Sequence, residues 1–169
     1  YLNRSMIRTP AAFFGRQREA ARLAARIASD PPQSVAIVGD RRIGKSSLLN
    51  YISHPEVVGD YLEEPEKTIF LFLDFQEEQR PSIESFIQAV FRHLQEKLGD
   101  RYEISVGADY EGLQEVVREL DGQGYRLILL LDEFDRVTRN SRFDANFFGS
   151  LRSLAGHYNI AYVTSTNRD

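Results

Sequence analysis

The sequence predicts a three-layer αβα architecture with a mainly parallel sheet, and three observations carry that expectation. Four short apolar runs lie well apart along the chain, at residues 34–38, 68–74, 126–131 and 159–164. They are continuously hydrophobic where a strand with one wet face would alternate, as happens when helices cover both faces of a parallel sheet. Between them lie segments with helical apolar spacing, and alternation of strand and helix points to a layered α/β fold with right-handed crossovers.

Taken in order, Ala20, Leu23, Ala24 and Ile27 make the buried stripe of a first helix, which Pro31-Pro32 stops. The first apolar run feeds a glycine-bracketed loop and a helix over 45–52. The acidic stretch 56–67 reads as a loop or short excursion before the second run. Ile83, Phe86, Ile87, Val90, Phe91, Leu94 and Leu98 then form one clean apolar face; Pro81-Ser82 opens that helix and Gly99 ends it. Leu113, Val116, Val117 and Leu120 mark the next helix, closed by Gly122 and Gly124. Phe147, Phe148, Leu151 and Leu154 mark the last, before Gly156.

Composition narrows the class. A chain of 169 residues with 42% apolar and 27% charged residues suits one domain (1–169) with a single two-sided core. The net charge of −4 lacks the basic excess of a dedicated nucleic-acid binder. The absence of cysteine excludes disulfides and thiolate chemistry and suits a reducing, cytoplasmic setting. No apolar run reaches the roughly eighteen residues of a membrane span, and no signal peptide precedes Gly15, so no membrane role is expected. The chain starts at Tyr1 and stops at Asp169 directly after a strand-like run, which reads as a piece of a longer polypeptide.

The strongest motif is Gly39-Asp40-Arg41-Arg42-Ile43-Gly44-Lys45-Ser46, which fits GxxxxGK[ST] in the required context of strand, loop and helix. Glycine lets the backbone turn its N–H groups inward, and the helix N-terminus adds positive potential, so the main chain can hold the phosphates of ATP or GTP. Lys45 is expected to reach the β- and γ-phosphates as a point charge. Ser46 is expected to offer its hydroxyl to Mg²⁺, with Ser47 near the α-phosphate. Arg41 and Arg42 are either solvated or in contact with a phosphate, a neighbouring subunit or a partner.

A second element follows the third run, where Asp132 and Glu133 emerge at the strand's C-terminal end, the edge at which open α/β sheets bind ligands. Asp132 is placed to orient a Mg²⁺ shell, largely through water, and Glu133 to polarise the attacking water. The strand at 68–74 intervenes in sequence, which sets this pattern apart from families whose metal strand adjoins the phosphate-loop strand. Asp74 either joins the Mg²⁺ shell or caps the following turn. Asp135 and Arg136 are either surface charges or supporting or interface groups. The fourth run leads into Ser165-Thr166-Asn167-Arg168, read either as a polar turn or as a γ-phosphate sensor. In the second reading Asn167 or Thr166 positions water and Arg168 contacts phosphate.

With these segments in place, the chain resembles the AAA+ and STAND branches of P-loop ATPases, and most closely the STAND-type and archaeal-type ATPase group. The resemblance runs from Phe13-Phe14-Gly15-Arg16-Gln17-Arg18-Glu19 through the phosphate loop and "LLLDEFD" to "TSTNR". It implies that Phe14, Gly15 and Arg16 belong to a box that packs around adenine, although the two phenylalanines would also serve as a hydrophobic staple. It implies residues 1–32 as that box plus the first helix, and 33–169 as the nucleotide-binding core. It also implies a core cut before its fifth strand and helical lid. ATP is favoured over GTP, since no Asn-Lys-x-Asp motif is present. The function expected is Mg²⁺-dependent ATP hydrolysis that switches assembly or signalling of a larger protein, with a homo-oligomer or partner protein engaged through regions outside this chain. Two alternatives are a nucleotide-gated binding module with little turnover and a DNA-acting ATPase of the origin-recognition or helicase-loader kind.

Overall fold

The computed structural model describes residues 15–76 and 81–168. Its elements run α1 (Gln17–Ala28), β1 (Val35–Gly39), α2 (Lys45–Ile52), α3 (Pro55–Val58), β2 (Thr68–Asp74), α4 (Ile83–Leu98), α5 (Tyr110–Gly122), β3 (Arg126–Asp132), α6 (Asp135–Thr138), α7 (Ala145–His157) and β4 (Ile160–Asn167). Single 3₁₀ turns at Pro65–Lys67 and Gly99–Arg101 complete the acidic excursion and the end of α4. The sheet is wholly parallel with strand order β1-β4-β3-β2.

Period-two alternation along the inner strands explains the layering. In β3, Leu127, Leu129 and Leu131 join Phe86, Val90, Leu94, Val116 and Phe147 in a core under α4, α5 and α7. Ile128 and Leu130 point the other way, joining Ala161, Val163, Leu23, Leu48 and Leu49 under α1 and α2. Both faces of β3 are therefore dry, which is why its sequence shows no alternation. Each fully buried Leu or Ile contributes roughly 1.5–3 kcal/mol.

The strand that intervenes in sequence, β2, lies at the outer edge, and β4 occupies the space between β1 and β3. β4 also runs further than its apolar core suggests. Residues 165–167 are strand because β1 continues beside them, pairing Ile37 with Ser165, Val38 with Thr166 and Gly39 with Asn167; the polar-turn reading is corrected accordingly. β1 departs from the expected two-sided burial as well: Ala36 is exposed and Val38 is 52% exposed, so one of its faces is open among the described residues.

Helix ends follow local chemistry. Ser82 caps α4 in a reciprocal box, its Oγ accepting from the Ser85 amide at 3.2 Å while Ser85 Oγ accepts from the Ser82 amide at 2.9 Å. Asp109 and Asp144 cap α5 and α7 from one side only, each accepting a single amide hydrogen bond. Gly156 does not end α7; the helix continues to His157 and stops where Tyr158 turns extended to enter β4. Ser82→Ala should lower the unfolding free energy by about 1 kcal/mol, read from a urea melt, because one capped amide loses its partner.

Candidate phosphate and metal site

The parallel register brings the C-terminal ends of the strands level, with Gly39 beside Asn167 and Asp74 beside Asp132. Alternation then selects what faces α2. Ile128 and Leu130 face the α1–α2 layer, so Asp132 does too; Ala161 and Val163 face it, so Ser165 and Asn167 follow. Three polar positions thus reach the layer in which the phosphate loop opens α2.

The loop itself is shaped by its glycines. Gly44 is the N-cap of α2 at φ 87°, a left-handed conformation that suits glycine. Its side-chain-free N-cap leaves the first amides of α2 without a side-chain cap, the arrangement that receives an anion at a helix N-terminus. A Cβ on Gly39 would fall 2.2 Å from Ile43 Cδ1, since the Ile43 side chain folds over that glycine. Arg42 also adopts positive φ, at 64°, and Arg41 and Arg42 both project as exposed side chains.

Lys45 is only 5% exposed. Its Nζ donates to the Gly39 carbonyl at 3.0 Å, the Asp40 carbonyl at 2.9 Å and Asn167 Oδ1 at 3.0 Å, so all three ammonium hydrogens have acceptors. Asn167 Nδ2 in turn donates to Glu133 Oε2 at 2.8 Å. A single hydrogen-bonded line therefore joins the loop lysine, the end of β4 and the first residue beyond β3. Glu133 itself sits at φ 53°, in the left-handed region, a conformation that costs an L-residue about 1–2 kcal/mol.

Asp132 is 3% exposed and its Oδ1 accepts from Ser165 Oγ and, at 3.1 Å, from the Glu133 amide. That amide also lies 3.2 Å from Ser165 Oγ. Asp132 Oδ2 has no hydrogen bond among the described residues. Together with the half-buried Ser46 hydroxyl it is a hard oxygen donor, the type that Mg²⁺ takes when phosphate and water fill the remaining positions. Among the described residues no group of three or more His, Cys, Asp or Glu side chains is gathered to hold a metal.

The remaining expected residues fall as follows. Ser47 is buried on the first turn of α2. Arg16 brings its guanidinium to 3.8 Å from where a Gly44 Cβ would stand, next to the loop; Gly15 precedes it at φ 84°. Phe13 and Phe14 lie outside the described residues. Arg168 donates its amide to the Gly39 carbonyl at 3.2 Å while its side chain is exposed, so the structure does not bring that side chain into the hydrogen-bonded line. Asp74 accepts from the Gln76 amide at 2.8 Å, the turn-capping arrangement. Arg136 donates to the carbonyls of Phe75 and Gln76, both at 3.3 Å, tying α6 to the end of β2. Asp135 accepts from the Asn167 amide at 3.4 Å.

Ser165, fully buried, is the residue that motif reasoning passed over. Its signal was the alternation of Ala161 and Val163 carried two residues further.

The family model described as Novel STAND NTPase 2 matches residues 29–169. No curated protein matches the sequence significantly. Among solved structures, the ORC2 protein of Aeropyrum pernix (ADPNP–ADP complexes) is similar with a TM-score of 0.72 at 18% identity, over 92% of this chain and 42% of that one. The Walker-type ATPase PABY2304 of Pyrococcus abyssi gives 0.63 at 17% identity, over 96% and 47%. The ORC1 protein of Aeropyrum pernix in complex with DNA gives 0.68 at 16%, over 93% and 40%. These likenesses show the fold, that of a P-loop NTPase core, and the chain spans less than half the length of each of the three proteins. Among the described residues no helix is long and apolar enough to cross a membrane.

The left-handed backbone at Glu133 makes a test of its own. Glu133→Gly removes the steric penalty and adds about 0.5–1 kcal/mol of glycine entropy, so stability should hold or rise by at most about 1.5 kcal/mol in a urea melt. A loss larger than that would assign the site's rigidity to the Asn167 contact instead.

Proposed function

The chain belongs to the Novel STAND NTPase 2 family, and from that premise we propose that it binds ATP and hydrolyses it in a Mg²⁺-dependent cycle that switches a larger assembly. The observation that supports this reading above others is the line from Lys45 through Asn167 to Glu133, with Asp132 on the adjoining strand end. It places a cation, an orienting amide and a carboxylate within one connected group.

In this reading the amides of the 39–46 loop and the N-terminus of α2 hold the phosphates. Lys45 exchanges at least one of its three present acceptors for a β- or γ-phosphate oxygen. Release of the Asn167 Oδ1 contact would tell Glu133, through the same side-chain amide, that the site is filled. Ser46 and Asp132 would hold Mg²⁺, which when bound neutralises charge on the phosphate oxygens. Glu133 accepts a proton from the attacking water while Asn167 fixes the carboxylate's direction. Phe14, Gly15 and Arg16 would enclose the adenine end, and Arg168 would approach the γ-phosphate from the end of β4. Catalysis on this scheme is positioning and electrostatics, with no covalent intermediate on the protein.

Two measurements test the scheme. Lys45→Ala should abolish binding of a fluorescent ATP analogue. Glu133→Gln should keep that binding and lower steady-state phosphate release by about 100-fold or more, the range of a lost general base. Equal turnover by wild type and Glu133→Gln would remove hydrolysis from the proposal and leave a nucleotide-gated binding module.

Ser165→Ala leaves every charged group in place but frees the Asp132 carboxylate to rotate. Titration calorimetry of ATP binding at graded Mg²⁺ should then show the Mg²⁺ requirement raised by about 10-fold or more, the usual effect of removing an outer-shell partner. Binding measured without Mg²⁺ should not change.

A further inference from the structure

A cleft of about 410 Å³ opens at the outer edge of β2, and its lining includes the consecutive residues Thr68, Ile69 and Phe70. Successive side chains of a strand point to opposite faces of the sheet. Three neighbours in a row line one cleft where it meets the strand's edge or end, and here Tyr125, just before β3, shows that the cleft also reaches the end of the sheet. The two cores confirm the geometry: Ile69 and the cleft residue Leu98 belong to the α4 side, whereas Phe70 and Val58 belong to the α1–α2 side. The cleft therefore straddles the sheet plane and exposes the margin of each apolar layer.

β2 has a strand partner on one side only among the described residues, and that partner is β3. Its sequence carries no proline or lysine before Asp74, the usual devices that blunt an edge. Residues 68–70 pair with 126–128, at the opposite end of the sheet from Asp74 and Asp132, so the cleft is separate from the phosphate site.

The walls differ in charge. On the α4 side stand Lys97 and Arg101. The Arg101 guanidinium is fixed by donation to the carbonyls of Leu98 at 3.2 Å and Lys97 at 3.4 Å. Lys97 is exposed, and its ammonium has no hydrogen bond or ion pair among the described residues. The opposite wall is mainly apolar, with Val58 and two prolines, and a single carboxylate, Glu66. The chain as a whole carries a charge of −4, so any preference for an acidic ligand must come from these local cations.

We propose that the edge of β2 docks an extended acidic segment of a partner protein. The segment adds as a strand along residues 68–70, past the Thr68 amide that the Pro65 carbonyl already holds, placing alternate apolar side chains toward Val58 and Phe70 and alternate carboxylates toward Lys97 and Arg101. Main-chain hydrogen bonds give the attachment and the two walls give its selectivity.

The test is fluorescence anisotropy of this chain with four labelled eight-residue probes. An alternating valine–glutamate peptide should bind at least about tenfold more tightly than its valine–lysine counterpart. N-methylation of one alternate set of amides in the glutamate peptide should abolish binding and methylation of the other set should not, because an edge strand offers its partner only every second residue. Lys97→Glu should weaken the glutamate peptide about tenfold while leaving binding of a fluorescent ATP analogue unchanged, which also reports that the variant is folded. Equal affinity for both peptides, indifference to N-methylation, or no effect of Lys97→Glu would each overturn the proposal. Concentration-dependent self-association that Lys97→Glu abolishes would overturn it in favour of a second copy of this chain.

Discussion

Parallel pairing of β4 between β1 and β3 is the constraint on which the site depends. A strand there has both edges bonded, so its register is held from two sides: Val35 to Gly39 fix residues 163–167, and Leu127 to Leu131 fix residues 160–164. Once register is fixed, alternation decides which side chains meet α2. A slip of one residue would turn Ser165 and Asn167 to the α4–α7 face and bring Thr164 and Thr166 in their place. Threonine has a hydroxyl but no side-chain N–H, so the amide that joins Lys45 to Glu133 would be lost. The apolar residues deeper in β4 hold this arrangement, because Ala161 and Val163 cannot leave the dry layer without the same slip. Packing in the core thus sets hydrogen bonding at the rim.

The same arrangement accounts for what could be read from the residues alone. β2, β3 and α4 declare themselves because burial on two faces, or along one helical stripe, dictates composition over many residues. The 39–46 loop declares itself because glycine and lysine occur there at fixed spacing for a backbone reason. β4 was harder. Its last three residues are polar, and polar residues at a strand end look like a turn unless the neighbouring strand is known to continue. β1 misled in the other direction: its apolar run suggested cover on both faces, yet Ala36 and Val38 are exposed on an edge strand. Gly156 suggested a stop, but one glycine costs a helix only about 0.5–1 kcal/mol, and α7 runs one residue beyond it to His157. Ser165 sits inside the polar segment singled out for phosphate sensing, but its bond to Asp132 follows from the alternation of Ala161 and Val163 together with the pairing of β4 and β3.

Asp132 and Glu133 illustrate how adjacent carboxylates come to differ. Asp132 ends the strand as a buried side chain, with one oxygen fixed by a hydroxyl and an amide. One residue later the backbone leaves the strand in a left-handed turn, and Glu133 is redirected toward Asn167. The Phe134 amide is anchored on the Ser165 carbonyl at 2.8 Å, so the turn is pinned immediately after the strained residue. Two acids of the same charge, next to each other in sequence, are thereby given different neighbours and different freedom.

The environment of Lys45 has one more consequence. None of its three acceptors is a carboxylate; two are main-chain carbonyls and one is a side-chain amide. These dipoles satisfy the ammonium's hydrogen bonds but leave its full positive charge in place. The cradle is therefore preorganised without being neutralised. An arriving anion meets a lysine already held at the mouth of the loop, so little side-chain entropy remains to be lost on binding, and the Coulombic attraction has not been spent on an internal ion pair.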